Sequence, residues 1–188
     1  MKGWMKVVLA GVCVLTAACT SESSQNEAES LNAQVVTLSD AQILRVLQVL
    51  NDGEVSLGKM GEGRATVASV KDFSTKMVND HSAARQRLDT LASDQRIMPA
   101  ESQLSVQLVA EVQGLMRVLG GLEGQRFDLA MMDTQLVVHG RAAMVLDAIV
   151  TPQVQDEALK EEAASERKEV QAHLEEALPI QKDLTGTL

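Results

Sequence analysis

The 188-residue chain has three histidines, and each falls in a stripe of apolar residues that it interrupts. His81 breaks the run Phe73, Met77, Ala84, Leu88 and Leu91. His139 breaks Met132, Leu136, Ala143, Leu146 and Val150, and His173 stands between Val170 and Ala177 in a run that begins at Leu159 and Ala163. The steps are three or four residues, the period that keeps side chains on one face of an α-helix. Two acids behave the same way: Glu54 within Ile43, Leu47, Leu50 and Leu57, and Glu166 between Ala163 and Val170. Asp80 borders His81. Uncompensated charge among aliphatic side chains is costly, so these groups must pair, bind an ion, or lie at a wet end of the fold.

Two kinds of chemistry fit this set. In one, Glu54, His81, His139 and His173 are ligands of a divalent transition metal between helices. Imidazole and carboxylate donors suit iron, zinc, manganese or copper, and no thiolate is required. Met77 and Met132 would add soft donors for copper, although methionine at helical spacing is ordinarily core filler. In the other, the same groups hydrogen-bond across helices, for instance His81 to Glu54, and set helix register. The Glu-x-x-His pairs of diiron bundles are missing, because Val78, Leu136 and Val170 stand three places before the histidines. That argues against a ferritin-type oxidase. Gly58, Gly61 and Gly63 follow a helix rather than a strand, so they form no phosphate loop. Ser82 points away from its neighbour His81 on a helix, which rules out a nucleophile–base pair there.

The elements that must position these residues are helices. The first opens at Ser39 with Gln42 as capping-box partner, and it breaks near Ala65-Thr66. Its glycines at 58, 61 and 63 are expected to weaken it and loosen the first hairpin. The second helix runs to about Ile97, before Pro99. The third, about Ser102 to Leu119, carries Leu104, Leu108, Val112, Leu115 and Leu119 with no acid or histidine on that stripe, and reads as structural. The fourth spans roughly 125–150. Thr151-Pro152 reads as the N-cap and first residue of a fifth, which ends near Leu178 before Pro179. Sustained period-two alternation is absent, aromatic content is 2% and there is no Tyr. The expectation is an all-α, up-and-down four-helix bundle with an additional helix over residues 38–178, followed by a tail over 179–188.

Aligning His81 with His139, an offset of 58, also pairs Ala84 with Ala142, Leu88 with Leu146 and Asp89 with Asp147, as two related helical hairpins would. The two aspartates lie about 80° round the helix from their histidines. They are therefore expected to be solvated or to pair with Arg85, Arg87 or Arg141 rather than to bind a metal.

Ahead of the bundle, Lys2 and Lys6 precede an apolar run, Val7 to Val14, too short to span a bilayer. Leu15-Thr16-Ala17-Ala18-Cys19 follows. Residues 1–18 read as a signal peptide, and small residues before a cysteine resemble a bacterial lipobox, with Thr16 as the departure. Cys19 is then the lipidated first residue, Cys13 leaves with the signal, and no thiol remains for a disulfide or for catalysis. Thr20 is not a retention aspartate, which favours the periplasmic face of the outer membrane. The polar stretch after it makes residues 19–37 a lipidated, flexible tether. The formal charge is −9 from 17 basic and 26 acidic groups. Loss of Lys2 and Lys6 takes this to 15 and 26, net −11. Such a surface repels phosphate backbones and has two Phe to stack on, so nucleic acid is excluded as a partner, and membrane association depends on the anchor.

Met77-Val78-Asn79-Asp80-His81, together with Leu57-Gly58, Phe127-Asp128, His139, Ala172-His173-Leu174 and the export signal, resembles the bacterial domain-of-unknown-function family DUF4142. The resemblance covers about residues 38–178 and implies a ferritin-like helical bundle in the cell envelope. It brings no settled activity. The first reading is an envelope lipoprotein acting as a binding or structural module without catalysis. The alternative is a periplasmic metal-binding or metal-dependent redox protein with a His/carboxylate site between helices. A protein partner or a second copy is compatible with both.

Overall fold

Ser39 caps the first helix, α1 (Asp40–Arg64), in the expected way: its hydroxyl accepts from the Gln42 N–H, and the Gln42 side chain accepts from the Ser39 N–H. The computed structural model describes residues 37–186; residues 1–18, read as a signal peptide, the lipidation expected at Cys19 and nearly all of the expected tether lie outside the described residues. After α1 come α2 (Ala68–Gln95), α3 (Gln103–Gly120), α4 (Gly124–Val145) with a π-helical turn (Leu146–Val150), and α5 (Glu157–Thr185). Among the described residues there is no strand.

The inward stripes order themselves along two apolar clusters. One gathers Ile43, Leu44 and Leu47 of α1 with Leu88, Leu104, Leu108, Leu146, Val150 and Leu159. The other gathers Leu57 with Val70, Phe73, Met77, Leu119, Phe127, Met131 and Ala177. Burying each large side chain is worth about 1.5–3 kcal/mol, so these clusters are the main cohesion of the bundle. Each helix begins in one cluster and ends in the other, and successive helices alternate in direction. Helices α1, α2, α4 and α5 form the core, and α3 is the additional helix, packed outside on α1 and α4. By carrying the chain back between the hairpins α1–α2 and α4–α5, α3 serves as the single crossover of a ferritin-like bundle.

Local expectations are refined at three places. Helix α1 runs through its glycines to the break expected near Ala65, and Gly58 and Gly61 have a packing role that the spacing did not show. A Cβ at Gly58 would stand 2.9 Å from the Ser74 carbonyl oxygen, and one at Gly61 would overlap Ser74 Oγ and lie 2.8 Å from its Cβ. They let α2 approach where a side chain would hold it away. Helix α5 does not start at Thr151-Pro152. The Thr151 N–H closes the π-turn onto Leu146 O at 2.9 Å, and Asp156 is the N-cap, accepting from Leu159 N–H at 2.8 Å. Asp40 holds this connection to α1 by accepting from the Gln155 and Asp156 N–H groups. Nor does α5 stop at Pro179, so residues 179–185 are helix rather than tail. A proline inside a helix costs about 3 kcal/mol. Here Pro179 and Glu175, whose carbonyl it leaves unpaired, are on the exposed side, while Ile180 and Leu184 beyond them pack on the second cluster.

Asp89 pairs with Arg85, as the sequence indicates, and accepts from Gln48. Asp147 pairs with Arg167 at 2.9 Å, while Arg141 is taken by Glu111.

Candidate functional site

Along each core helix a polar stretch separates the two apolar clusters. Asn51 and Glu54 on α1, His81 on α2, Gln135 and His139 on α4, and His173 on α5 are all buried, as is Glu166 one cluster step away. The three imidazoles meet in this layer. Ring centroids are 5.6 Å apart for His81 and His139, and 5.2 Å for each pair that includes His173. One nitrogen from each ring lies within 4.8 Å of the others, and no other such cluster of potential ligands occurs among the described residues.

The outer hydrogen bonds assign the protons on these rings. His139 Nδ1 is 2.9 Å from the Gln135 carbonyl oxygen, which only accepts, so Nδ1 carries the proton; Glu54 Oε1 is 3.2 Å from the same nitrogen. His173 Nε2 donates to Asp80 Oδ2 at 3.0 Å. Burial pushes the Asp80 pKa up, but the Lys76 ammonium and the His173 N–H outweigh it, and the carboxyl is held below its ordinary value. The Asn51 amide N donates to Leu47 O at 2.9 Å and to Glu166 Oε1 at 3.0 Å, which turns its oxygen toward His81 Nδ1 at 2.9 Å. His81 is therefore the donor there.

A lone pair remains on each ring: Nε2 of His81, Nε2 of His139 and Nδ1 of His173. The last two face each other at 3.2 Å with no proton assigned between them. His81 Nε2 is buried and has no hydrogen-bond partner among the described residues. Burial, reinforced by the neighbouring imidazoles, holds His81 well below its ordinary pKa, and burial is the main reason His173 is lowered to about 4. Three imidazoles with one nitrogen from each within 4.8 Å of the others, and an acceptor behind each ring, form the arrangement in which histidines hold a metal.

The carboxylates stand behind this cluster. Glu54 is not grouped with the histidines: its Oε1 lies on the outer nitrogen of His139, and its Oε2, like both amide atoms of Gln135, has no hydrogen-bond partner among the described residues. Burial raises the Glu54 pKa, opposed by His139 and Gln135. The bond expected from His81 to Glu54 is replaced by His81 to Asn51. Burial pushes Glu166 up to about 8, against the Asn51 hydrogen bond. Met77 and Met132 belong to the adjoining apolar cluster. Asn51, three residues before Glu54, and Gln135, four before His139, were passed over in the sequence although that spacing puts them on the same helix faces.

A second buried polar group lies nearer the end of the bundle. Asp128 of α4 accepts from Thr66 N–H at 2.9 Å, Val67 N–H at 3.2 Å and the Thr66 hydroxyl. The N-cap of α2 is Val67, which has no capping side chain of its own, so Asp128 supplies the cap from another helix. Beside it, Arg64 lies 4.6 Å over the Phe127 ring and donates to the Leu119 and Leu122 carbonyls.

The model of a domain of unknown function, DUF4142, matches residues 23–180. The chain belongs to this family. No curated protein and no solved structure matches it. Of the residues that carried the resemblance, His81, His139 and His173 form the imidazole layer with half-buried Asp80 at its edge, Asp128 holds the start of α2, and Leu57, Met77 and Phe127 belong to the second apolar cluster. The family description names no activity, so function must be argued from the site.

Proposed function

We propose that this DUF4142 domain holds one divalent transition metal between its two hairpins, with His81, His139 and His173 as ligands. The observation that carries the reading is the pair His139 Nε2 and His173 Nδ1, 3.2 Å apart, with both protons drawn to the far sides of their rings. A network built to set helix register alternates donors with acceptors. Here acceptor faces acceptor beside an orphaned third nitrogen, and a cation relieves all three. Glu54, Asp80 and Asn51 orient the rings from behind rather than join the ligand set. Imidazole donors admit zinc, iron, manganese and copper, with copper(II) expected to bind tightest.

The layout from Lys2 to Cys19 supports placing the domain in the bacterial envelope, anchored by lipid at Cys19 on the periplasmic face of the outer membrane. Cys19→Ser is then expected to abolish palmitate labelling, and persistent labelling would contradict the anchor.

Metal analysis of protein purified without a histidine tag tests the site. One metal per chain is expected, reduced to trace levels by His81→Ala, His139→Ala or His173→Ala. Trace metal in the parent protein, unchanged after challenge with Fe, Cu, Mn and Zn, would sink the reading in favour of a purely structural module.

A further inference from the structure

Helix α3 lies over α1 and α4 without filling the space between them. It sits close on α1, where a Cβ at Gly53 would stand 2.9 Å from Val112 Cγ2. On the α4 side a cavity of about 460 Å³ opens among the three helices. Val49 and Leu50 of α1, Leu108 and Leu115 of α3 and Val138 of α4 wall it, and its only polar lining residues are Glu111 and Arg141. Leu115, which the sequence puts on a structural stripe, is half-buried because this space lies beside it. Such a volume, with apolar walls and a few polar groups, belongs to a small-molecule site rather than to a packing defect.

The two polar residues select the head group. Both oxygens of Glu111 are engaged: Oε1 accepts from Gln107 Nε2 at 2.8 Å and Oε2 from Arg141 Nε at 3.3 Å. Arg141 is engaged through Nε alone, which leaves both Nη groups of a half-buried guanidinium as donors. The unused capacity is therefore for an anion, and a planar guanidinium fits a carboxylate best. The walls select the body. They are aliphatic, with no ring on which an aromatic ligand could stack. The chain as a whole is acidic, but salt screens remote charges, so the guanidinium beside the cavity governs what enters it.

We propose that this groove between α1, α3 and α4 binds an aliphatic monocarboxylate, its alkyl chain against the leucines and valines and its carboxylate on the Arg141 Nη groups. The site is separate from the imidazole layer and does not rest on the metal reading.

The test is calorimetric titration of the full chain with decanoate below its micelle concentration, in parallel with hexanoate, decanol and decyltrimethylammonium. One decanoate per chain is expected. Hexanoate, with a shorter chain, and decanol, with no charge, should each bind at least about tenfold more weakly, and the ammonium not at all. Arg141→Gln should remove the preference for decanoate over decanol. Gly114→Leu should abolish binding of both, because Gly114 lines the cavity and a Cβ there meets nothing within 4 Å. Leucine also suits a helix interior better than glycine, so this variant should fold at least as well as the parent. No saturable decanoate binding, or binding unmoved by Gly114→Leu, would overturn the proposal. Equal affinity for decanoate and either decanol or the ammonium in the parent protein would do the same. Self-association that Gly114→Leu abolishes, with no decanoate bound, would assign the groove to a second copy and also overturn it. Were Arg141→Gln to misfold, the comparison of probes on the parent protein would still decide.

Discussion

Asp128 and Glu54 are both carboxylates sunk in the bundle, yet their oxygens are treated differently. Asp128 Oδ1 and Oδ2 are both taken, by two backbone N–H groups and a hydroxyl at the start of α2. Glu54 touches His139 with one oxygen, while its other oxygen, His81 Nε2 and the Gln135 amide have no hydrogen-bond partner among the described residues. Buried polar atoms in folded proteins are nearly always paired. A satisfied cluster such as that of Asp128 therefore acts as a staple, holding one helix start against another helix. An unsatisfied cluster costs stability, and its persistence points to something that binds there.

Asp128→Ala is the strongest test of the first half of that contrast. It strands two N–H groups and a hydroxyl, and about 3 kcal/mol of unfolding free energy should be lost, measured by urea denaturation. The same loss is expected with and without metal, because Asp128 contributes only to the fold. The second half is tested by Glu54→Gln, which keeps the shape behind His139 but not the charge. Metal affinity should fall about 10–100-fold, read by competition with a chelator of known affinity. Unchanged affinity would make Glu54 another staple and erase the difference.

A smaller effect appears in the pH dependence of the metal-free protein. Glu166 is raised from 4.5 to about 8, so its contribution is fully present below pH 4.5 and is lost as pH rises toward 8. His173 is lowered from 6.5 to about 4, so its contribution is present above pH 6.5 and is lost as pH falls toward 4. Glu166→Gln should remove a decline of up to about 1.4 kcal/mol per pH unit on the alkaline side, visible as urea midpoints that no longer fall toward pH 8. The smallest effect belongs to the surface. Arg87 joins α2 to Glu162 and Glu169 of α5, and Arg87→Ala should cost under about 1 kcal/mol with no change in metal binding. A larger loss would mean that surface pairs, rather than the buried clusters, hold the hairpins together.

The fold was legible because apolar spacing at steps of three and four and the Ser39 capping box mark five helices, whereas Pro152 and Pro179 misplaced both ends of α5. The inward placement of His81, His139, His173, Glu54 and Glu166 was legible for the same reason, since a three-and-four stripe states which face is buried. What could not be read was who meets whom. Whether Glu54 faces His81 or His139 depends on the relative height and rotation of α1, α2 and α4, which the close approach at Gly58 and Gly61 sets. Pro179 misled because a local rule was applied without knowing which side of α5 faces water. Asp128 lies eleven residues before His139 on the same stripe, but nothing local to α4 reveals that the start of α2 lacks its own cap.

The depth of the imidazole layer has a kinetic consequence. The rings of His139 and His173 are 1% and 2% exposed, and they belong to the hairpin opposite the one that carries His81. The ion proposed above, if seated among them, would leave when the hairpins part, and its residence time would then follow the rate of that opening rather than the strength of the metal–nitrogen bonds. Cargo acquired during a brief period of abundance would then be retained long after the surrounding supply has fallen, as a slow reservoir rather than a rapid exchanger.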